Sequence, residues 1–185
     1  MISKPVKDTC TDCGKIKFLA NKSKKLCTTC VAIRKRTKDK ETKELVKKKK
    51  SESSSFLIKK LDKIFSVFIR LQSTDREGNT KCFTCDRIEY WRKIQCGHFQ
   101  SRRFMSTRFH KRNCRPQCYA CNIGLSGNQY IFGVNLDKKF GEGTADEMVR
   151  LSKEIKKFTP DELKKLIELC EDDVNGLRKK LNIWD

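Results

Sequence analysis

Four pairs of cysteines at CxxC spacing constrain this 185-residue chain more than any other feature. Cys10-x2-Cys13 and Cys27-x2-Cys30 enclose 13 residues, and Cys82-x2-Cys85 and Cys118-x2-Cys121 enclose 32. Two such pairs brought together form a tetrathiolate that zinc closes tetrahedrally, with no open coordination position. Only 37% of the residues are hydrophobic, so the core must be modest, and domains with modest cores often need staples. The first residues, MISKPVKDTC, lack a charged-then-apolar leader, and the longest apolar-rich run, Ile64 to Ile69, is too short to cross a bilayer. The expectation is a cytoplasmic protein with no membrane partner, whose thiols stay reduced and hold Zn²⁺ at two structural sites rather than forming disulfides.

The net charge of +20 is concentrated toward the front of the chain. Residues 1–50 carry 17 Lys/Arg against 5 Asp/Glu, residues 51–134 carry 15 against 6, and residues 135–185 carry 11 against 12. A solubilising surface would mix signs throughout, so this asymmetry predicts a polyanionic partner, with nucleic acid foremost. Lys15, Lys17, Lys22, Lys24 and Lys25 lie inside the first cysteine module, where Gly14 can supply the turn after the knuckle. From Val31 to Lys50 the chain is nearly all charged and reads as a solvated helix or partly disordered arm. Ser51-Glu52-Ser53-Ser54-Ser55 reads as a linker ending in a helix N-cap, and Phe56, Leu57, Leu61, Ile64, Phe65, Phe68, Ile69 and Leu71 then recur at helical spacing.

Residues 81–97 suit a knuckle followed by a strand, and a second strand should end near Gln117, before a helix at Tyr119 to Gly124. Thr144-Ala145-Asp146-Glu147 and Thr159-Pro160-Asp161-Glu162 both read as capping boxes. The apolar residues around them, including Met148, Leu151, Ile155, Leu163, Leu166, Ile167, Leu169 and Leu177, are assigned to helix packing. Cys96, Cys114 and Cys170 fall outside the CxxC pairs and read as small buried thiols.

Within the second cysteine module lie His98 at a strand end, Asn113 on the returning strand and Asn122 at a helix start. Phosphodiester hydrolysis requires an activated water and a divalent cation that neutralises developing charge. A histidine can take the proton of that water, and amide oxygens can hold magnesium while leaving it waters. The intervening arginines, Arg102, Arg103, Arg108 and Arg112, are suited to clamping phosphate.

The order Cys82-x2-Cys85, Gly97-His98-Phe99, Arg108-Phe109, Asn113, Gln117-Cys118-x2-Cys121-Asn122 and Ser126-Gly127-Asn128 resembles the HNH, or ββα-metal, endonuclease motif. Within it, the chain resembles the phage NinG (Rap) recombination-endonuclease family, which the N-terminal four-cysteine module, basic arm and helical tail also suit. The junction of CxxC with Asn is further similar to the phage resolvase endonuclease VII. The resemblance implies structure-selective cleavage of branched recombination intermediates, such as Holliday junctions and D-loops, with Mg²⁺ or Mn²⁺. By position it implies His98 as general base, Asn113 as the middle Asn of the motif, Asn122 as ligand of the catalytic cation, and Asn128 as a phosphate contact or helix-side cap. Many HNH enzymes place a metal-binding Asp before the first His, where this chain has Gly97. Either His98 itself ligates the cation, or Asp86 or Glu89 reaches in from the first knuckle.

The expected architecture is therefore a small α+β protein. Residues 1–33 form a zinc ribbon, 34–55 a basic helical arm and linker, 56–135 a helix plus a zinc-stapled, HNH-like ββα-metal core, and 136–185 a helical tail. Paired cuts in a two-fold symmetric junction would favour a homodimer, and the tail could meet a recombinase. A non-catalytic zinc-dependent nucleic-acid-binding protein and a sequence-reading restriction or homing nuclease are the competing readings.

Overall fold

The computed structural model describes residues 6–183, except the side chains of Lys50 and Ser51. The chain forms two compact units that divide after Glu52. In the first, β1 (Lys7–Thr9), β2 (Ile16–Asn21) and β3 (Leu26–Cys27) make an antiparallel sheet, followed by α1 (Thr28–Ser51). Gly14 turns the chain after the first knuckle at φ +67°, a conformation costly for any residue with a Cβ. Cys10, Leu26, Cys27 and Cys30 are buried together with Val31 against them, so the four-cysteine cluster is most of this unit's core. Arg34 Nε donates to Asp12 Oδ2 at 2.6 Å, fastening the start of α1 to the knuckle. Beyond Val31 the helix is exposed on every side, as its charged sequence requires.

The second unit begins with α2 (Ser54–Leu71), whose N-cap is Ser53, accepting from Phe56 N. Its buried stripe, Leu57, Leu61, Phe65, Phe68, Ile69 and Leu71, packs mainly on the C-terminal helix α6 (Pro160–Leu181) through Leu163, Ile167, Cys170, Val174 and Leu181. Between these helices in the sequence come β4 (Asn79–Lys81) paired with β5 (Ile88–Tyr90), then β6 (Gln95–His98), the short helix α3 (Met105–Arg108) and β7 (Cys114–Gln117). β6 and β7 are antiparallel, with Gln95 opposite Gln117, Cys96 opposite Pro116, Gly97 opposite Arg115 and His98 opposite Cys114. A π-helical turn, Ala120–Gly124, leads to α4 (Gln129–Phe140) and α5 (Thr144–Ser152). Phe132, Leu136 and Met148 form a second small core there, with Phe83, Phe99, Phe140 and Leu151 against it.

Several sequence expectations change. The boundaries read at 33/34, 55/56 and 135/136 each fall inside a helix (α1, α2 and α4). The break between the units is the two residues Glu52 and Ser53. Thr159 and Glu162 make the reciprocal capping box, but Thr144 makes none: Asp137 Oδ1 accepts from Ala145 N at 2.8 Å, Gly143 takes the N-cap place, and Thr144 Oγ1 donates to Gly141 O. Ile155 and Leu169, assigned to the core by spacing, are 93% and 63% exposed. Ile155 lies in the loop after α5, and Leu169 faces away from the α2 stripe.

Candidate functional site

The sulfurs of Cys82, Cys85, Cys118 and Cys121 all lie within 4.8 Å of one another, as do those of Cys10, Cys13, Cys27 and Cys30. Cys85 Sγ stands 3.6 Å from Cys118 Sγ and Cys13 Sγ 3.9 Å from Cys27 Sγ, against about 3.8 Å between ligands of a tetrahedral zinc thiolate. Backbone N–H groups point at the sulfurs: Cys27 N to Cys10 Sγ at 3.4 Å and Cys118 N to Cys82 Sγ at 3.3 Å. The N–H groups of Cys27 and Cys13 bring the Cys10 thiol down to about 6. Burial pushes Cys82 up, but Cys118 N–H and the Thr84 hydroxyl outweigh it, and the thiol settles at about 7. Burial and the neighbouring sulfurs drive Cys30 and Cys85 up to about 12. Four sulfurs this close cannot all ionise unaided, and a divalent cation supplies the missing charge. Both clusters thus fit zinc in donor set, spacing and hydrogen bonding.

The second cluster ties the β4–β5 knuckle to the end of β7 and the π-helical turn, which positions the residues between them. His98, at the end of β6, and Asn122, on the π-helical turn, line one open cleft of about 520 Å³ together with Ser101, Arg102, Ser126 and Gln129. His98 Nε2 stands 3.2 Å from Arg108 O, and the Cys96 carbonyl is a second backbone acceptor beside the ring. Burial, then the charge of Arg102, lower the imidazole to about 4, and it is neutral at pH 7. Asn122 Nδ2 donates to Gln95 Oε1 at 2.7 Å, which turns Oδ1 into an acceptor with no partner among the described residues. Cys96, His98 and Cys114 also bring a ring nitrogen and two sulfurs within 4.8 Å, a third group able to hold a metal.

Asn113 does not touch the histidine ring. It is wholly buried: Oδ1 accepts from Gln100 N at 2.7 Å, and Nδ2 donates to Gln100 O and Thr107 O. These bonds fix the loop that leaves His98. The arginine loop divides as well. Arg108 is bound by both arms to Asp62 of α2, at 2.9 and 2.6 Å, and Arg112 Nη1 reaches Glu147 Oε2 at 2.9 Å in an exposed pair, so each has an ion-pair partner within the chain. Arg102 lines the cleft and has no ion-pair partner among the described residues, and Arg103 is exposed with its guanidinium over the Phe104 ring. Asn128 takes the N-cap place of α4 at φ 45°, but its side chain makes no capping bond.

No carboxylate lines the cleft among the described residues. Asp86 is held by Lys81 at 3.1 Å, and Glu89 lies on β5, so neither reaches in as a ligand. Gly97 has a physical cause. A Cβ there would stand 1.9 Å from Gln117 Oε1, and Gln117 is buried with Nε2 donating to Gly127 O at 2.8 Å and Thr84 Oγ1 at 3.1 Å. Gln117 thus occupies the space that a side chain at 97 needs. Gly97→Asp is expected to cost about 2–4 kcal/mol in thermal or denaturant unfolding, from overpacking or from leaving these polar groups unpaired. Gln117→Ala should remove part of that cost in the double variant. A Gly97→Asp protein of unchanged stability would contradict this packing. Gln95 and Gln117 were missed as site residues in the sequence. Alternation along β6 and β7 places them across from each other, but only the register shows it.

The family described as "Bacteriophage Lambda NinG protein" matches residues 3–180. The chain belongs to the NinG family. Among relatives, NinG of Escherichia phage lambda is 25% identical over 143 residues, covering 66% of this chain and 67% of that protein. NinG of Escherichia phage 933W and of Enterobacteria phage VT2-Sa are each 29% identical over 97 residues, 51% of this chain and 45% of theirs. No solved structure matches. The family match covers both cysteine modules and the whole cleft of this NinG chain.

Proposed function

We propose that this NinG-family protein is a metal-dependent, structure-selective DNA endonuclease of the HNH type, which cuts branched recombination intermediates such as Holliday junctions and D-loops. One observation carries the reading: a β6–loop–β7–helical-turn segment, stapled at both ends by one four-cysteine cluster, presents His98 and Asn122 on the walls of a single cleft. That order of parts supports a ββα-metal reading. Neutral His98 takes a proton from the attacking water, and Asn122 Oδ1 offers a hard oxygen to Mg²⁺ or Mn²⁺. When bound, that cation neutralises charge on the phosphate and the leaving oxygen. With no carboxylate lining the cleft among the described residues, Asn122 Oδ1 is the side-chain oxygen that would hold the cation, and DNA phosphate and water would complete its shell. Arg102 meets a phosphate at the cleft, with Arg103 beside it.

No helix among the described residues is long and apolar enough to cross a membrane. The protein works in the cytoplasm of the bacterial host, as a homodimer on two-fold junctions, and a recombinase is the partner for its tail.

A substrate panel tests the proposal. With Mg²⁺ or Mn²⁺, the full chain is expected to cut four-way junctions and D-loops well ahead of linear duplexes of the same sequence. Binding should weaken about 10³ to 10⁵-fold between 50 and 200 mM salt, the response to roughly six to ten phosphate contacts. Cutting that follows base sequence instead of branching would support a restriction-type nuclease and contradict the proposal.

A further inference from the structure

A second cleft, of about 470 Å³, opens beside β7 and is lined by Lys81, Phe83, Arg115, Asn135, Lys138 and Lys139, among others. Asp86 is the only acid in its lining, and Lys81 already pairs with it. Arg115 is the unusual member. It is 4% exposed, and its guanidinium lies 4.4 Å from the centre of the Phe140 ring and 5.9 Å from that of Phe83. Its Nε is buried with no acceptor, and the side chain has no hydrogen bond or ion pair with any described residue.

A buried guanidinium without an anion is costly, because the desolvation of its charge is not offset by any partner. Ordinary arginines escape this by reaching water or a carboxylate. This one is held by two aromatic rings with its donors toward a cleft of lysines. Burial lowers the proton affinity of Arg115, and burial together with the Arg115 charge lowers that of Lys139, which is the behaviour of a cationic cluster that lacks its anion. A planar fork of N–H donors beside two or three ammonium groups matches the oxygens of a phosphodiester.

The strand register says where Arg115 points relative to His98. Successive residues of a strand point to opposite faces, and Cys114 is the cross-strand neighbour of His98. Arg115 therefore points to the face of the β6–β7 hairpin opposite His98.

We propose that the Arg115 cleft is a second phosphodiester-binding groove, which holds a nucleic-acid strand on a lining that shares no residue with the His98 cleft. Two strand paths in two separate clefts suit a branched duplex, where arms diverge, better than a linear one. This assignment of a second strand rests on the nuclease reading above, but the binding of a phosphodiester does not.

The test is binding of the full chain to a synthetic four-way junction without divalent cation, so that cleavage plays no part. Arg115→Met keeps the bulk between the two rings and removes the charge. It is expected to reduce the slope of log K against log salt by about one, and Lys138→Ala/Lys139→Ala by about two. The lysine variant alters exposed side chains only and keeps the test available if Arg115→Met folds poorly. In a second arm, inorganic phosphate should raise the melting temperature of the wild type but not of Arg115→Met. Unchanged slopes in both variants would overturn the groove, and phosphate stabilisation with unchanged slopes would assign the cleft to free phosphate and overturn it equally. An Arg115-dependent slope in a protein that never cuts DNA would leave the groove standing and sink only the nuclease reading.

Discussion

Removing zinc from the cluster of Cys82, Cys85, Cys118 and Cys121 is expected to dismantle the cleft. The four sulfurs join the β4–β5 knuckle to the end of β7 with its π-helical turn. The buried apolar cluster around the sulfurs adds Ile94 alone, and the two segments are further tied by Phe83 N–H to Pro116 O and Gln117 Nε2 to Thr84 Oγ1. Binding of structural zinc is worth roughly 10–16 kcal/mol, comparable to or larger than the 5–15 kcal/mol that separates folded from unfolded states of a typical domain. No rearrangement of so small an apolar cluster can offset that loss. A strong chelator, or Cys118→Ser, should therefore abolish junction cleavage and the protection of the β6–β7 backbone amides from hydrogen exchange. The α2–α6 pair buries its own stripe of Leu, Ile, Phe and Val side chains and should retain part of the helical far-ultraviolet signal. Returning zinc should restore the chelated wild type but not Cys118→Ser. Loss of all cluster zinc, measured directly, with protection and cleavage intact would show that the staple is dispensable.

The same cluster explains why much of this molecule could be read before any coordinates. Cysteine spacing is a covalent pattern, and it leads directly to two four-sulfur groups and to the segment they enclose. The α2 stripe and the Thr159–Glu162 capping box are local patterns too, and both are present in the fold. What could not be read was the choice of partner. Arg108 and Arg112 look equivalent to Arg102 in the sequence, but Asp62 and Glu147 lie 46 and 35 residues away, and they claim the first two. Asp137 displaces Thr144 as the cap of α5 by the same kind of tertiary contact. Asn113 keeps its place in the motif, yet its amide is spent on the backbone of the Gln100–Thr107 loop. The absent acid at position 97 is similar: spacing shows the departure, and only the packing of Gln117 shows its cause.

In the proposed nuclease, the chemistry rests on His98. Its ring is half-buried, in contact with the Arg108 carbonyl through Nε2, and neutral at pH 7. Arg108 is itself fixed by Asp62, so the histidine is aimed by a chain of contacts that begins on α2. A general base contributes typically 10² to 10⁴ in rate. Binding depends instead on arginines and lysines spread over both units, and the loss of one neutral ring removes no phosphate contact.

The decisive measurement is therefore cleavage and binding of a four-way junction by His98→Ala beside wild type, in Mg²⁺ and in Mn²⁺. Wild type is expected to cut, the variant to lose about 10² to 10⁴-fold or more in rate, and junction affinity to stay within a factor of about three. Equal cleavage by His98→Ala, or no cleavage by wild type on any branched substrate with either metal, would contradict the nuclease reading.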